Sequence, residues 1–279
     1  MANDRVVHCV LKSGGFVRAR VSGVGGSTVL LLHGIPGGRQ QWDAVSAELA
    51  DSMTCVAPDL LGFGESSDPI GDFHAEAQAA AVEELLDLLG VRVVHVVGWD
   101  FGGPVAVALS RRAPLKIASL TLVSTNVFTD TPVPGVLNLA HVPGLGEALF
   151  TAMCSFPGLA GMWFGAVTDK QRLPFGRFVA ELPGRRGRRW TRRIFLDSLR
   201  HLRARYGEIE AALPQLRCRV EVVWGDSDPF FAVSVGERTA RALRHAQFSL
   251  LDGCGHFVPG ERPRAIVEAV RRQILALAT

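Results

Sequence analysis

Asp100 lies in the segment VVGWDFGGPVA, residues 96–106, where an apolar run ends in a glycine-rich turn. The spacing Gly98-x-Asp100-x-Gly102 is that of a nucleophile elbow, a tight strand-to-helix turn that usually carries serine. Such a turn exposes its central side chain above the sheet, and the glycines let neighbouring backbone approach. The carboxylate therefore predicts a nucleophile other than serine, although an aspartate at this position could also simply cap the next helix.

Three further loops follow predicted strands and carry residues suited to the same site. HGIPGG, residues 33–38, can aim backbone N–H groups at the reacting atoms, and such donors stabilise an oxyanion. WGDSDPF offers two acids, Asp226 and Asp228, either of which could orient a histidine. DGCGHFVPGERP presents His256. Each loop has a structural explanation by itself, but together they indicate a catalytic site in the chain order nucleophile, acid, histidine.

Strands and helices alternate around these loops, which predicts an α/β fold with a mostly parallel sheet flanked by helices. Continuous apolar runs such as STVLLL are typical of strands that are buried on both faces. The predicted strands are residues 5–11, 15–23, 27–34, 53–59, 91–99, 117–125, 218–226 and 247–253. The predicted helices are residues 40–50, 74–89, 101–112, 232–244 and 263–278.

The alternation is interrupted between residues 130 and 214, where prolines and patchy apolar segments replace strand patterns. We interpret this segment as an inserted helical cap, with residues 1–129 and 215–279 forming the core. The arginine-rich stretch GRRGRRWTRR fits either an anionic partner or a solvated surface. Some apolar side chains of the cap are candidates for a pocket wall or for the core of the cap itself: Leu149, Phe150, Phe156, Trp163, Phe164 and Phe175.

Composition narrows the class of protein. A net charge of +3 is too small to indicate nucleic-acid binding. The five scattered cysteines indicate free thiols, with no metal or redox centre. The N-terminus lacks a signal-peptide pattern, and no segment approaches the ~18 apolar residues of a membrane span. We therefore expect a cytoplasmic enzyme without cofactor or membrane attachment, monomeric or homodimeric, acting on a hydrophobic small molecule.

With the motifs HGIPGG, DLLGFGESS and GWDFGG, and with the two later loops, the sequence resembles the α/β-hydrolase superfamily over nearly its whole length. The resemblance implies Asp100 as nucleophile and His256 as general base. It favours Asp228 over Asp226 as the orienting acid, because the family pattern Gly-x-x-Asp matches Gly225.

The same resemblance implies an oxyanion hole built from the backbone N–H groups of Ile35 and Phe101. An ionised aspartate attacks a saturated carbon without prior loss of a proton and forms an alkyl-enzyme ester. Water activated by His256 then attacks the carbonyl carbon of Asp100. This branch of the family contains epoxide hydrolases, haloalkane dehalogenases and haloacetate dehalogenases.

These enzymes differ in how they stabilise the leaving group, and this chain departs from each pattern. Haloalkane dehalogenases bind halide with a tryptophan after the nucleophile and a second donor; here Phe101 and Ile35 offer no side-chain donor, which leaves Trp163 as a candidate. Haloacetate dehalogenases place arginine where Phe101 stands. Epoxide hydrolases use two cap tyrosines as acids, and Tyr206 is the single tyrosine of this chain.

Other side chains could contact the substrate or the leaving group. His33 and Trp99 flank the elbow and its companion loop, and His141 or His201 could replace a tyrosine as proton donor. Epoxide opening in a hydrophobic small molecule is our prediction, with haloalkane or haloacid dehalogenation as the alternative. A non-hydrolytic biosynthetic enzyme or a binding protein on the same fold, with Asp100 as a base, is the third hypothesis.

Overall fold

The computed structural model describes residues 4–112, 115–133, 135–182 and 188–278. Its strands are β1 (Arg5–Val10), β2 (Phe16–Ser22), β3 (Ser27–Leu32), β4 (Met53–Pro58), β5 (Val93–Trp99), β6 (Lys116–Val123), β7 (Arg219–Gly225) and β8 (Ala246–Leu251). Within the described residues they form one eight-stranded sheet in the order β1-β2-β4-β3-β5-β6-β7-β8. The pair β1–β2 and the pair β2–β4 are antiparallel, whereas all the other neighbours are parallel.

Helices connect the strands and cover the sheet. The core helices are α1 (Asp43–Leu49), α2 (Ala75–Leu88), α3 (Gly102–Ser110), α9 (Val233–Ala242), α10 (Val258–Glu261) and α11 (Pro263–Ala278). Those between β6 and β7 are α4 (Leu145–Met153), α5 (Phe156–Ala166), α6 (Phe175–Ala180), α7 (Arg188–Arg200) and α8 (Leu202–Ala212). Short 3₁₀ turns occupy Arg39–Trp42, Gly135–His141 and Leu213–Gln215.

The central strands are buried on both faces, as their continuous apolar sequences predict. Along β3, Leu30 and Leu32 pack on the side of α2, α3 and α9, whereas Val29 and Leu31 pack on the side of α1 and α11. All four side chains are fully buried. The architecture confirms the predicted α/β-hydrolase fold class, a mostly parallel sheet between two layers of helices.

The segment between β6 and β7 contains helices and no strand among its described residues. The division into a core of residues 1–129 and 215–279 and a cap of residues 130–214 stays a prediction. Residues 184–187 of the arginine-rich stretch lie outside the described residues, and for residue 188 only the backbone is described. The guanidinium of Arg193 lies over the rings of Phe73 and Trp190.

No single helix in the described part of the chain has the length and apolar character needed to cross a membrane. By length and composition alone, one bent pair, Leu145–Met153 with Phe156–Ala166, passes such a test. The cytoplasmic location stays a prediction.

Candidate active site

Asp100 follows strand β5 directly and turns the chain into α3. Its φ of +51° lies in the left-handed region that non-glycine residues rarely occupy. The turn is closed by close backbone contacts: a Cβ on Gly102 would lie 2.1 Å from the carbonyl oxygen of Leu32. The hydroxyl of Thr125 donates to the carbonyl oxygen of Asp100. These contacts hold an unfavourable backbone conformation that presents the carboxylate above the sheet.

Backbone N–H groups donate hydrogen bonds to the carboxylate of Asp100. The N–H of Ile35 donates to Oδ1 at 2.6 Å, and the N–H of Phe101 also stabilises the charge. Gly34 is required for this approach, because a Cβ there would lie 2.5 Å from the Asp100 Cβ. The N–H of Ile35 thus holds Oδ1 in the arrangement that the predicted oxyanion hole requires.

The loop that carries Ile35 is held by a buried ion pair. Asp59 is fully buried, accepts the backbone N–H groups of Arg39 at 2.8 Å and Glu65 at 2.9 Å, and pairs with the Arg39 guanidinium. Gly64, at φ +49°, lets the DLLGFGESS loop wrap closely around the Asp59 carboxylate. This ion pair joins the loops after β3 and β4 and keeps the oxyanion donor in place.

His256 joins the two carboxylates of the predicted triad. Its Nδ1 lies 2.8 Å from Oδ2 of Asp228, and its Nε2 lies 3.7 Å from Oδ2 of Asp100. The side chain of Asp228 is completely buried, and its Oδ1 accepts the backbone N–H groups of Phe230 and Phe231. The fixed carboxylate orients the imidazole so that Nε2 faces Asp100.

Asp226 is hydrogen-bonded to the loop that leads to His256, not to the imidazole itself. It is exposed, and its carboxylate accepts the N–H groups of Gly253 and Cys254 at 3.1 and 3.2 Å. It therefore ties the end of β7 to the loop that leads to His256. The structure brings Asp228, not Asp226, to the imidazole.

The imidazole of His256 is enclosed by aromatic rings and has 3% of its side chain exposed. The ring of Phe230 is edge-on to the imidazole at a centroid distance of 5.0 Å. The backbone of His256 is also fixed: its N–H donates to the carbonyl of Ala166, and its carbonyl accepts the Trp99 indole N–H at 3.0 Å. The histidine thus has one ring orientation, set from both the core and α5.

The pKa values of Asp100 and His256 are both raised, and each group's charge affects the pKa of the other. Burial raises the pKa of Asp100 above its ordinary value, although the charge of His256 and the N–H donors of Ile35 and Phe101 oppose the rise. Burial lowers the pKa of His256, but the charge and hydrogen bond of Asp228, together with the charge of Asp100, outweigh it and leave that pKa raised. The two groups therefore favour each other's charged forms.

Glu261 links the histidine loop to the segment after α5. It is fully buried, and its Oε2 accepts N–H groups from Thr168 at 2.7 Å, Asp169 at 2.9 Å and Gly255 at 3.3 Å. A buried carboxylate is stable when several such donors share its charge. Glu261 therefore positions the residue before His256 and part of the predicted cap at once.

A mostly apolar cavity of about 120 Å³ opens above Asp100 and His256. Two hydroxyl-bearing side chains reach its wall from α7 and α8: Ser198 and Tyr206. Burial and the negative charge of Asp100 raise the pKa of the Tyr206 phenol, and the nearby Ser198 hydroxyl lowers it. Apolar residues supply most of the remaining wall: Leu137, Phe150, Met153, Met162, Phe195, Leu199, Leu202, Phe230, Phe231 and Phe257.

Comparisons with known proteins agree with this geometry. A family model described as the alpha/beta hydrolase fold matches residues 27–146. An uncharacterized protein of Mycobacterium tuberculosis is 30% identical over 276 residues, which cover 92% of this chain and 78% of that protein. The chain belongs to the α/β-hydrolase family.

Other relatives of this α/β-hydrolase are named after an enzymatic activity. Lipase 3 of Moraxella sp. is 38% identical, covering 91% of this chain and 77% of the lipase. The soluble epoxide hydrolase of Corynebacterium sp. is 26% identical, covering 95% and 96%. Among solved structures, an esterase from Thermogutta terrifontis has a TM-score of 0.79 at 23% identity, covering 99% of this chain and 100% of the esterase. The assignment of the protein as a hydrolase of this fold is confirmed.

Four side chains of this α/β-hydrolase were expected to contact the substrate. Three of them do not line the cavity: Trp163, Trp99 and His33. The Trp163 indole N–H donates to the carbonyl of Leu173 at 2.8 Å. Trp99 lies beneath His256, with its indole donor occupied by the histidine carbonyl. His33 is fully buried, donates from Nδ1 to Gly34 and accepts the Leu60 N–H at Nε2, and burial lowers its pKa. These corrections share one cause, because each side chain satisfies its polar atoms within the protein.

Of the other side chains considered for contact with the substrate or for the pocket wall, some line the cavity and others are exposed. Tyr206 lines the cavity, and its role as a leaving-group contact stays a prediction. His141 and His201 are exposed, and His201 pairs with Asp197 instead. Of the apolar side chains proposed for the pocket wall, Phe150 lines it, whereas Phe156 and Phe164 are each 73% exposed.

Sequence reasoning about this α/β-hydrolase missed three polar residues around the site: Thr125, Ser198 and Glu261. Thr125 and Ser198 are small hydroxyl residues without a distinctive spacing. Glu261 had a usable signal, because it is a carboxylate five residues after His256 in an otherwise apolar, glycine-rich loop.

Proposed function

We propose that this hydrolase opens epoxides that carry a compact apolar substituent, using Asp100 as nucleophile. The observation that carries the proposal is the position of Tyr206, a phenol in the wall of the cavity that also contains Asp100 and His256. A phenol there can protonate the oxygen of a strained ring while the carboxylate attacks carbon. The relative named a soluble epoxide hydrolase, 26% identical over nearly the whole chain, supports the same activity.

In the first half-reaction, Oδ2 of Asp100 attacks an epoxide carbon and forms an ester. The ring C–O bond breaks, and its electron pair stays on oxygen, which takes the proton of Tyr206. Because the new ester is neutral, Asp100 no longer raises the pKa of Tyr206 or of His256. Bond formation at Asp100 therefore makes Tyr206 a better acid and releases His256 to act as a base.

In the second half-reaction, His256 removes a proton from water, and the resulting hydroxide attacks the carbonyl carbon of Asp100. Oδ1 already accepts the N–H of Ile35, and the N–H of Phe101 also stabilises the carboxylate, so the charge develops where donors are in place. Collapse of the intermediate expels the diol and restores the carboxylate. The label of heavy-oxygen water then appears in Asp100 after one turnover.

The shape and polarity of the cavity set the substrate class. A cavity of about 150 Å³ accommodates benzene, so a space of about 120 Å³ suits a substituent near the size of one ring. Its wall contains no lysine or arginine among the described residues, which argues against haloacids. Trp163, the candidate halide donor, is occupied by Leu173, which argues against haloalkanes.

Covalent trapping tests the proposal directly. His256→Gln enzyme is mixed with styrene oxide, and the intact protein is weighed after rapid acid quench, with peptide mapping to locate the adduct. We expect a stable adduct on Asp100 from styrene oxide and none from 1-bromobutane or chloroacetate. Turnover of styrene oxide by Asp100→Ala enzyme would contradict the nucleophile. Diol formation without heavy-oxygen label in Asp100 would instead favour Asp100 as a base.

A further inference from the structure

Ser198 has a buried hydroxyl that no other part of the site explains. It lies in α7 with 9% of its surface exposed and lines the cavity beside Tyr206. Its Oγ lies close enough to the Tyr206 phenol to lower the pKa of that group, yet it makes no well-formed hydrogen bond to any described protein group. A serine inside a helix ordinarily bonds to the carbonyl four residues earlier, and buried polar groups without partners are rare. A hydroxyl held beside the Tyr206 phenol without a well-formed hydrogen bond indicates a bond that forms fully only when the phenol oxygen carries charge.

The nearest chemistry is the phenol of Tyr206, whose pKa the Ser198 hydroxyl lowers. Resting on the proposed epoxide opening, we propose that Ser198 is a positioning residue for Tyr206 and donates to its oxygen when the phenol gives up its proton. It would then supply the second hydroxyl of the leaving-oxygen site in a chain with one tyrosine. A donor to the phenolate strengthens Tyr206 as an acid.

The step is balanced without a further reactant. Asp100 forms the C–O ester bond, the ring C–O bond breaks, and the proton of Tyr206 moves to the ring oxygen. The phenolate accepts a hydrogen bond from Ser198, which keeps its own proton. The proton that His256 later takes from water returns to the phenolate through solvent, so one epoxide and one water give one diol.

Rates of ester formation test this role. In the His256→Gln background, adduct formation with styrene oxide is followed by quench-flow and intact mass. We expect Ser198→Ala to slow alkylation roughly ten- to a hundredfold, as for loss of a hydrogen bond to a charged group, and Ser198→Thr to restore most of the rate. Tyr206→Phe should slow it at least as much, and the double variant should be no slower than Tyr206→Phe. Ser110→Ala, whose hydroxyl bonds to the Val107 carbonyl, is the matched control.

A spectroscopic readout separates this role from simple packing. Because the chain contains one tyrosine, ¹³Cζ-tyrosine labelling gives a single NMR resonance that reports Tyr206 alone. We expect Ser198→Ala to shift this resonance, Ser198→Thr to restore it and Ser110→Ala to leave it in place. A Ser198→Ala enzyme with an unchanged resonance and the parental alkylation rate would overturn the inference and leave the epoxide hydrolase assignment standing. Absence of an adduct in the parent background would overturn both.

Discussion

Nε2 of His256 lies 3.7 Å from Oδ2 of Asp100, beyond hydrogen-bond distance, while Nδ1 of the same ring lies 2.8 Å from Asp228. A serine nucleophile needs its histidine within hydrogen-bond reach in order to lose a proton. A carboxylate has no proton to lose, so it attacks without that contact. Under the proposed function, the histidine instead activates water against the ester, which divides the reaction between the two residues.

Asp228 and Asp226 form a matched pair for testing this division. Asp228→Asn removes the charge that raises the pKa of His256, so the acid limb of ester hydrolysis should move to lower pH. The rate should fall by roughly 10³-fold or more, because the amide also disturbs the tautomer of the ring. Asp226→Asn should change the rate little. Single-turnover decay of the ester across pH measures both, and equal losses in the two variants would argue against the assignment of Asp228.

The buried charge of Asp100 should destabilise the folded protein at neutral pH. Burial raises its pKa, so its charged form is less favourable in the folded state than in the unfolded state. Asp100→Asn should therefore raise Tm by about 2 °C or more above the raised pKa. The advantage should shrink as pH falls through the raised pKa and vanish below 3.8, where the carboxyl is protonated in both states. Thermal unfolding by circular dichroism between pH 4 and 8 measures the difference; a Tm below that of the parent at pH 7 would contradict it.

Gly34 should be required for activity because of one contact. A Cβ at this position would lie 2.5 Å from the Cβ of Asp100, so Gly34→Ala must displace the nucleophile or the Ile35 donor. We expect hydrolysis of the ester to slow by about 10²-fold or more, the usual cost of losing one oxyanion donor. Gly26→Ala is the control, since a Cβ there meets nothing within 4 Å. Full activity of Gly34→Ala enzyme would show that the oxyanion hole lies elsewhere.

Glu261 should matter for both stability and hydrolysis. Glu261→Ala leaves the N–H groups of Thr168, Asp169 and Gly255 without their acceptor, so unfolding should become easier by about 2 kcal/mol or more. Glu261→Gln keeps one acceptor oxygen and should lose less. Urea denaturation measures this, with Glu268→Ala on the exposed face of α11 as the control. Because Gly255 precedes His256, ester hydrolysis should also slow more than alkylation does.

The sequence by itself determined the fold and the order of the candidate catalytic residues along the chain. Strand and helix patterns are local, and the glycines around Asp100 reveal a tight turn because only glycine leaves room for the backbone contacts found there. The four loops could be placed together because the carboxyl ends of neighbouring parallel strands meet at one edge of a sheet. The roles of Asp100 and His256 followed from that placement and from the family resemblance.

Only the tertiary structure decided which polar side chains face the cavity. Trp163, Trp99 and His33 looked suitable by residue type, yet each satisfies its polar atoms inside the protein. Ser198 carried no signal in the sequence, and its position beside Tyr206 depends on how α7 and α8 pack over the sheet. Partner choice between distant segments is a property of packing, since a hydrogen bond forms wherever the fold brings a donor and an acceptor together. Spacing along the chain contains no record of that choice.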